Sequence, residues 1–470
     1  MSNDQKKKKT GFQMPHIYVI LFVFGLVAAA ATYLIPAGEF DRIELENGRE
    51  AVDPESFTYL ESTPTGLTEF ITAIPRGLVD AGEVVFFTLI IGGMFMVLRE
   101  SEIIEIAVDK MARKFSKKSI FIIPVLVAVF ASVATLIGTA ELSLVYIPVI
   151  IPLVIALGYD SMTAAAVALC GTVIGYTVGV LNPINTGLAQ SIAGLPTFSG
   201  LGFRLILFVI VLAVTAWFIM RYAKKVQKNP EASLVYEDDA EKREMYSSIG
   251  DSAPLNATKR QIAGALTVLV FFGILIYGVI ELDWFMIEMA GLFIIMGITV
   301  GLVTGLNLTR ISEAFTKGFR EVLMGAIIVG LARSIAVILE DGQVMDTIVN
   351  GLGTVVGELP PVLAAAGMYF VQLLINFVIP SGSGQALVTM PIMAPLADMV
   401  NVTRQTAVLA FQLGDGFAHI LYPTSGYFMA ALALAGVEWH KWIRFFFPLF
   451  IIFMVISLSA LTIAQITGWS

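Results

Sequence analysis

Long apolar runs separated by short polar segments recur along the whole chain. Nine of them are long enough to cross a bilayer as helices, which takes about 20 residues each. They are Ile17 to Ile35, Gly82 to Leu98, Ser161 to Leu195, Gly202 to Arg221, Gln261 to Ile280, Trp284 to Leu306, Val322 to Leu339, Thr403 to Gly436 and Trp442 to Ile466. Ser161 to Leu195 is too long for one straight span and is interrupted at Asn182-Pro183-Ile184-Asn185-Thr186-Gly187. Thr403 to Gly436 is broken in the same way at Tyr422-Pro423-Thr424-Ser425-Gly426. A proline inside a helix removes one of its hydrogen bonds, so both segments read as broken helices.

Two further runs read as re-entrant hairpins. One is 361–397, whose tip is Ser381-Gly382-Ser383-Gly384-Gln385. Its second arm, Ala386 to Ala397, is about 12 residues or ~18 Å of helix. A bilayer core is about 30 Å thick, so this arm is expected to stop inside the membrane. The other is 119–157, with Gly138-Thr139-Ala140-Glu141 at its tip. Non-helical backbone at that depth is tolerated only where it is buried in protein or lines a cavity.

Composition agrees with a polytopic membrane protein. The chain has 470 residues, 57% hydrophobic and 14% charged, with a mean hydropathy of +0.83. No cleavable leader is expected, because Lys6 to Lys9 precede a long first span. Cys170 is the one cysteine, which excludes an internal disulfide framework and leaves it a packing role. The net charge of −8 lies largely in loops and does not suggest nucleic-acid binding. Basic residues favour the cytoplasmic side, which places the N-terminus inside and the acidic segment Gly38 to Ser62 outside. Arg99 to Lys118, ending in Arg113, Lys114, Lys117 and Lys118, and Arg310 to Arg320 are amphipathic and expected on the inner face. His440, Lys441 and Arg444 mark the cytoplasm again, and the C-terminus falls outside.

The two halves match each other. Arg76 to Val108 aligns without gaps at an offset of 241, so that Val97 to Val108 meets Ile338 to Val349. At the hairpins the offset is 243, and Pro148 and Pro152 meet Pro391 and Pro395. At the breaks it is 240, and Leu181 and Pro183 meet Leu421 and Pro423. Charge bias orients the two hairpins oppositely, which makes an inverted repeat, the layout of secondary transporters whose broken helices meet at the midplane. The divisions that follow are 1–65, an N-terminal span and external loop; 66–221, the first repeat; 222–260, a cytoplasmic linker; 261–306, scaffold spans; and 307–470, the second repeat.

The repeats differ where chemistry is expected. Glu141 aligns with Gly384, Arg333 with Gly92, Asp415 with Gly175 and His419 with Gly179. An ionisable group at membrane depth is costly unless paired or hydrated, so each is a candidate for the site. Glu141 is a candidate for a substrate cation, Na⁺ or a proton; the plainer reading has it capping the tip. Asp415 and His419, four apart, share a helix face. Arg333 offers a planar fork for a carboxylate, or neutralises Asp415 or Glu141. Asn182, Asn185, Thr186, Thr424 and Ser425 at the breaks, and Thr139, Ser381, Ser383 and Gln385 at the tips, suit substrate or Na⁺, or simply cap helix ends. The candidate surroundings of Na⁺ are Gly138, Thr139, Asn185, Ser383 and Thr424. Gln372, Asn376 and Gln412 read rather as contacts between helices.

GTAELSLVYIPVIIPL (Gly138 to Leu153), LNPINTG (Leu181 to Gly187), PSGSGQALVTMPIMAPL (Pro380 to Leu396) and FQLGDGFAHILYPTSG (Phe411 to Gly426) together resemble the YfcC/DcuC-like carriers of the ion transporter superfamily. The nine spans and two hairpins also resemble its AbgT-type members. The resemblance implies a homodimer in the cell membrane, a scaffold part holding the dimer, and a transport part carrying hairpins and broken helices in an elevator-like movement. Related dicarboxylate carriers bind carboxylate and Na⁺ at Ser-Asn-Thr tips; neither tip here has that motif.

The expectation is an all-α secondary active transporter, not an enzyme, for a small carboxylate-bearing metabolite. No cofactor is expected beyond a coupling Na⁺ or H⁺. Two internal acids against one intramembrane Arg and one His favour a cationic amino acid, with a C4-dicarboxylate as the alternative. A channel, and an intramembrane protease built on Ser383 with His419 or on Leu413-Gly414-Asp415, are the remote alternatives. Neither hydrolase reading explains the duplication.

Overall fold

The structure is a computed structural model that describes residues 17–44, 50–246, 257–282 and 284–469. The basic cluster Lys6 to Lys9 and residues 247–256 of the linker lie outside it.

Helix α1 (Ile17–Leu34) opens the chain. Four short strands follow, β1 (Gly38–Glu39), β2 (Arg42–Glu44), β3 (Glu50–Val52) and β4 (Thr58–Tyr59), paired antiparallel as β1 with β4 and β2 with β3. This small β element was not expected. Its anchor is Asp346, which takes two hydrogen bonds from Arg42 at 2.9 and 3.2 Å and one from the Phe40 amide.

The first half continues with α2 (Leu67–Asp80), α3 (Gly82–Glu100), α4 (Ile103–Phe115), the hairpin arms α5 (Ile122–Ile137) and α6 (Ser143–Ala156), α7 (Ser161–Val178), the short α8 (Leu188–Ile192) and α9 (Leu201–Lys228). The linker holds α10 (Ala240–Tyr246), and α11 (Lys259–Glu281) and α12 (Met286–Thr304) follow it. The second half contains α13 (Leu308–Asp341), α14 (Met345–Gly357), the hairpin arms α15 (Pro361–Val378) and α16 (Gly382–Met399), α17 (Arg404–Ala418), α18 (Gly426–Ala435) and α19 (Trp439–Thr467). Among the described residues ten helices are long and apolar enough to cross a membrane. They include the first arm of each hairpin; α17 and α18 fall short because the break divides them.

Two expectations need correcting. Arg310 to Arg320 is not a separate surface segment: α13 runs unbroken for 34 residues from an Asn307 cap, since no Gly-Pro or helix-ending turn interrupts it. The second hairpin's tip is shorter than the sequence suggests. Ser381 caps α16, its hydroxyl facing the Gly384 amide, so Gly382 to Gln385 form the first turn of an 18-residue helix. That arm is about 27 Å long rather than ~18 Å.

Helix ends recur between the halves. Leu67 and Glu100 bound α2–α3, and Leu308 and Asp341 bound α13, both a shift of 241. Ser161 and Arg404 begin α7 and α17, a shift of 243. Packing divides most of the helices into two groups. One gathers α1, α2, α3, α11, α12 and α13; the other gathers α5 to α9 and α15 to α19, and α13 meets α18 where they join. The interior of the second group is the most completely buried part of the molecule: every residue of α7, and every residue of α17 after Arg404, is buried.

Candidate functional site

Two hairpin tips and two helix breaks place the site. Helix α5 ends at Gly138, whose φ of +82° is left-handed and easily adopted only by glycine. A side chain there would also strike the Asn182 carboxamide oxygen, 2.6 Å from the would-be Cβ, so the first tip lies directly on the first break. Helix α7 ends in the same way at Gly179, with φ of +57°. The second tip is equally close: a Cβ on Gly382 would collide with the Tyr176 hydroxyl and reach within 3.0 Å of the Asn185 side-chain nitrogen. Small residues at both tips therefore let the tips come close to α7 and the first break.

Between them is a cavity of about 250 Å³. Its walls are the first tip (Gly138 to Glu141), the second tip (Pro380 to Ser383), Ile184 of the first break, Tyr176, and His419 and Tyr427 on either side of the second break. Phe285, just before α12, is the one wall residue from the other helical group. His419 sits between two phenols, with ring centroids 5.5 Å from Tyr176 and 5.8 Å from Tyr427. Glu141 forms no ion pair among the described residues.

Behind the cavity Asp415, fully buried, gathers four donors. Asn376 donates to one carboxylate oxygen at 2.8 Å, and His419 Nε2 approaches the same oxygen at 3.2 Å. Asn185 donates to the other at 3.2 Å, and the Tyr176 hydroxyl lies 3.4 Å away. A carboxylate has about four lone-pair positions, so Asp415 is saturated. It ties α7, the first break, α15 and α17 together. With Nε2 turned to a carboxylate, Nδ1 of a neutral His419 is left as an acceptor, and no partner meets it. The Asn185 carboxamide oxygen and the hydroxyls of Thr424, Ser425 and Tyr427 are likewise buried without partners.

The expected residues divide accordingly. Gly138, Thr139, Glu141, Ser381, Ser383 and His419 line the cavity, and Asp415 and Asn185 support it from behind. Thr424 and Ser425 are buried in the second break but are not cavity walls. Asn182 caps the break, accepting from the Asn185 amide at 2.9 Å and donating to the Tyr176 carbonyl at 3.1 Å. Thr186 donates to the Gly179 carbonyl at 3.0 Å and accepts from Gln412. Gln385 faces inward, donating to the Gln372 side chain at 2.7 Å rather than standing at a flexible tip.

Arg333 is elsewhere. It is half-exposed and pairs with Glu340 at 3.1 Å and Asp80 at 3.8 Å, so it neither meets nor neutralises Asp415 or Glu141. The repeat alignment placed it opposite a glycine, but depth in an apolar run does not give the direction of a side chain. The buried arginine is Arg204, which the sequence reading passed over although it is a lone charge in an apolar run. Asn376, read as a helix contact, is a direct Asp415 partner. Tyr176 and Tyr427 carry no sequence signal that separates them from other aromatic residues of buried helices.

Residues 14–466 match the C4-dicarboxylate anaerobic carrier family, DcuC. YfcC of Escherichia coli, provisionally named a basic amino acid antiporter, is 32% identical, with 99% of each chain aligned. An uncharacterised protein of Haemophilus influenzae is 27% identical over 99% of this chain and all of its own. Among solved structures, MtrF of Neisseria gonorrhoeae, from a class of antimetabolite efflux pumps, and YdaH of Alcanivorax borkumensis, a transporter of unusual topology, are each 15% identical. They cover 97% of this chain and 96% and 99% of their own, with TM-scores of 0.42 and 0.40. Matched along nearly its full length, by a family of carriers and by a relative close enough to fix kinship, the chain belongs to the DcuC family of multi-pass membrane transporters.

Proposed function

We propose that the protein is a secondary active transporter for a small amino acid, a basic one by preference, working by ion-coupled symport or exchange. The observation that carries the reading is the composition of the cavity's walls. They include the amino-terminal turn of α16, whose free amides and positive dipole end favour a carboxylate. They also include Glu141 and the rings of Tyr176, Tyr427 and Phe285, which favour an ammonium or guanidinium group. An amino acid carries both groups. The name of the E. coli relative points the same way.

Both hairpins, 119–157 and 361–397, and both broken helices belong to the moving part in this reading. The group containing α2, α3 and α11 to α13 is the scaffold, and the two repeats are oppositely oriented. Phe285 on the cavity wall supports that division, because substrate would rest against the scaffold there. Movement is elevator-like, the protein is a homodimer of the inner membrane, and the N-terminus is cytoplasmic and the C-terminus external. A C4-dicarboxylate is the second reading, favoured by the family's name. It would set a second carboxylate against Glu141.

The test is uptake into proteoliposomes. Thermal stability with basic amino acids and with succinate selects the ligand, which is then followed as radiolabelled counterflow. Glu141→Gln is expected to abolish counterflow of the basic amino acid while the purified protein stays folded. Full counterflow by that variant, or binding of succinate alone, sinks the proposal.

A further inference from the structure

Trp442 and Arg204 are the two largest fully buried side chains among the described residues. Each is the fourth residue of the helix that follows a broken helix, Arg204 in α9 from Leu201 and Trp442 in α19 from Trp439. Each donates to a carbonyl at the break beside it. Arg204 Nη1 reaches the Val178 carbonyl, the last of α7, at 3.2 Å. Trp442 Nε1 reaches the Ile420 carbonyl at 2.8 Å, and Trp439 Nε1 reaches that of Leu421 at 3.2 Å. The same Arg204 nitrogen meets the Gln412 carboxamide oxygen; Gln412 in turn donates to Thr186, which donates to the Gly179 carbonyl.

Carbonyl oxygens freed at a helix break, at the negative end of a helix dipole, are the ligands a small monovalent cation requires. Here the carbonyls of Val178 and Gly179 at the first break, and of Ile420 and Leu421 at the second, already accept from side-chain N–H or O–H groups. At the first break the donor also carries a full charge. The Arg204 guanidinium is fully buried, forms no ion pair among the described residues, and leaves Nε and Nη2 without hydrogen-bond partners; the Trp469 ring, 5.7 Å from it, is the aromatic face it meets. Its charge is opposed by no carboxylate and acts on the carbonyl end of α7. A sodium ion at the Val178 carbonyl would face a like charge and compete with its hydrogen bond.

We infer that Arg204 is a fixed internal cation in the place of a coupling ion at the first break, with Trp439 and Trp442 closing the second, so that transport uses no sodium ion. Coupling then falls to a proton, or to exchange of one substrate for another. The inference deepens the transport reading and rests on it for the meaning of the breaks. Its test uses no substrate, so either can fail alone.

The experiment measures radiosodium binding and thermal melting of the purified full chain, in sodium and in potassium chloride of equal concentration. The wild-type protein is expected to bind no sodium saturably and to melt identically in the two salts. Arg204→Met frees the Val178 carbonyl and removes the charge. It is expected to gain a sodium-specific rise in melting temperature that follows sodium concentration as mass action requires. Arg204→Lys should behave as wild type. Arg204→Gln, which keeps a donor and drops the charge, is the second variant should Arg204→Met fail to fold, and is expected to gain the same sodium response. Saturable sodium binding by the wild type overturns the inference. So does a charge-free variant that folds and gains no response to sodium.

Discussion

Asp415 offers the sharpest test of how the site is held. Replacing it with alanine leaves Asn376, His419, Asn185 and Tyr176 pointing into an empty space in a fully buried layer. A buried donor stripped of its partner costs about 1–3 kcal/mol. Two of these four can recover partially: the Tyr176 hydroxyl rotates, and Asn376 already lies 3.3 Å from the Gln385 oxygen. That leaves two stranded donors and a small cavity, or about 3–5 kcal/mol in all. Asparagine is nearly the same shape and should cost less. Its oxygen takes the stronger pair, Asn376 and His419. Its amide then faces Asn185, whose own oxygen has no partner and can turn to accept. The loss is then about 1–2 kcal/mol, the difference between charged and neutral acceptors. The assay is thermal melting of the purified protein, where a chain this long moves by about 2 °C or less per kcal/mol. Asp415→Ala should melt several degrees below Asp415→Asn, which should melt close to wild type. Equal melting of the two variants would refute the claim that four donors depend on this carboxylate. Combining Asp415→Asn with Asn185→Asp tests the pairing directly: returning the charge across the 3.2 Å contact should recover part of the loss.

Other consequences are simpler to check. Gly138→Ala places a methyl against the Asn182 oxygen in a left-handed turn, and should cost about 1–3 kcal/mol, read as a lower melting temperature; unchanged melting would contradict the tip-to-break contact. Arg333→Gln should leave ligand affinity and counterflow unchanged and cost about 1 kcal/mol or less, since its ion pairs are half-exposed; a tenfold loss of affinity would return it to the site. Arg404, donating to Asp398 at 2.6 Å, holds that carboxyl below the ordinary aspartate range. A lowered folded value means the pair's contribution is present above the ordinary range and fades as pH falls through the lowered one. Exposure keeps it under about 1 kcal/mol, so Asp398→Asn should slightly flatten the acid side of the melting-versus-pH curve, and a steeper acid side would contradict the pairing.

Apolar run length is enough to reveal a many-spanning protein, because lipid forces backbone hydrogen bonds to close within each helix. Gly138, Pro183, Pro380 and Pro423 likewise disclose where helices must stop, since proline and left-handed glycine act through local backbone geometry. Those stops marked both tips and both breaks, and the cavity lies among them. Direction and partnership were decided only by packing. Arg333 and Arg204 are both single arginines in apolar runs, yet one points to Glu340 on an open face and the other is sealed against Gln412. A helix repeats every 3.6 residues whether its neighbour is protein or lipid, so a run that is apolar all round does not say which face is covered. Asn376 and Asn182 show the same limit: an amide in a membrane helix is bound to find a partner, but whether that partner is a capping amide or the Asp415 carboxylate depends on which helices the fold brings alongside.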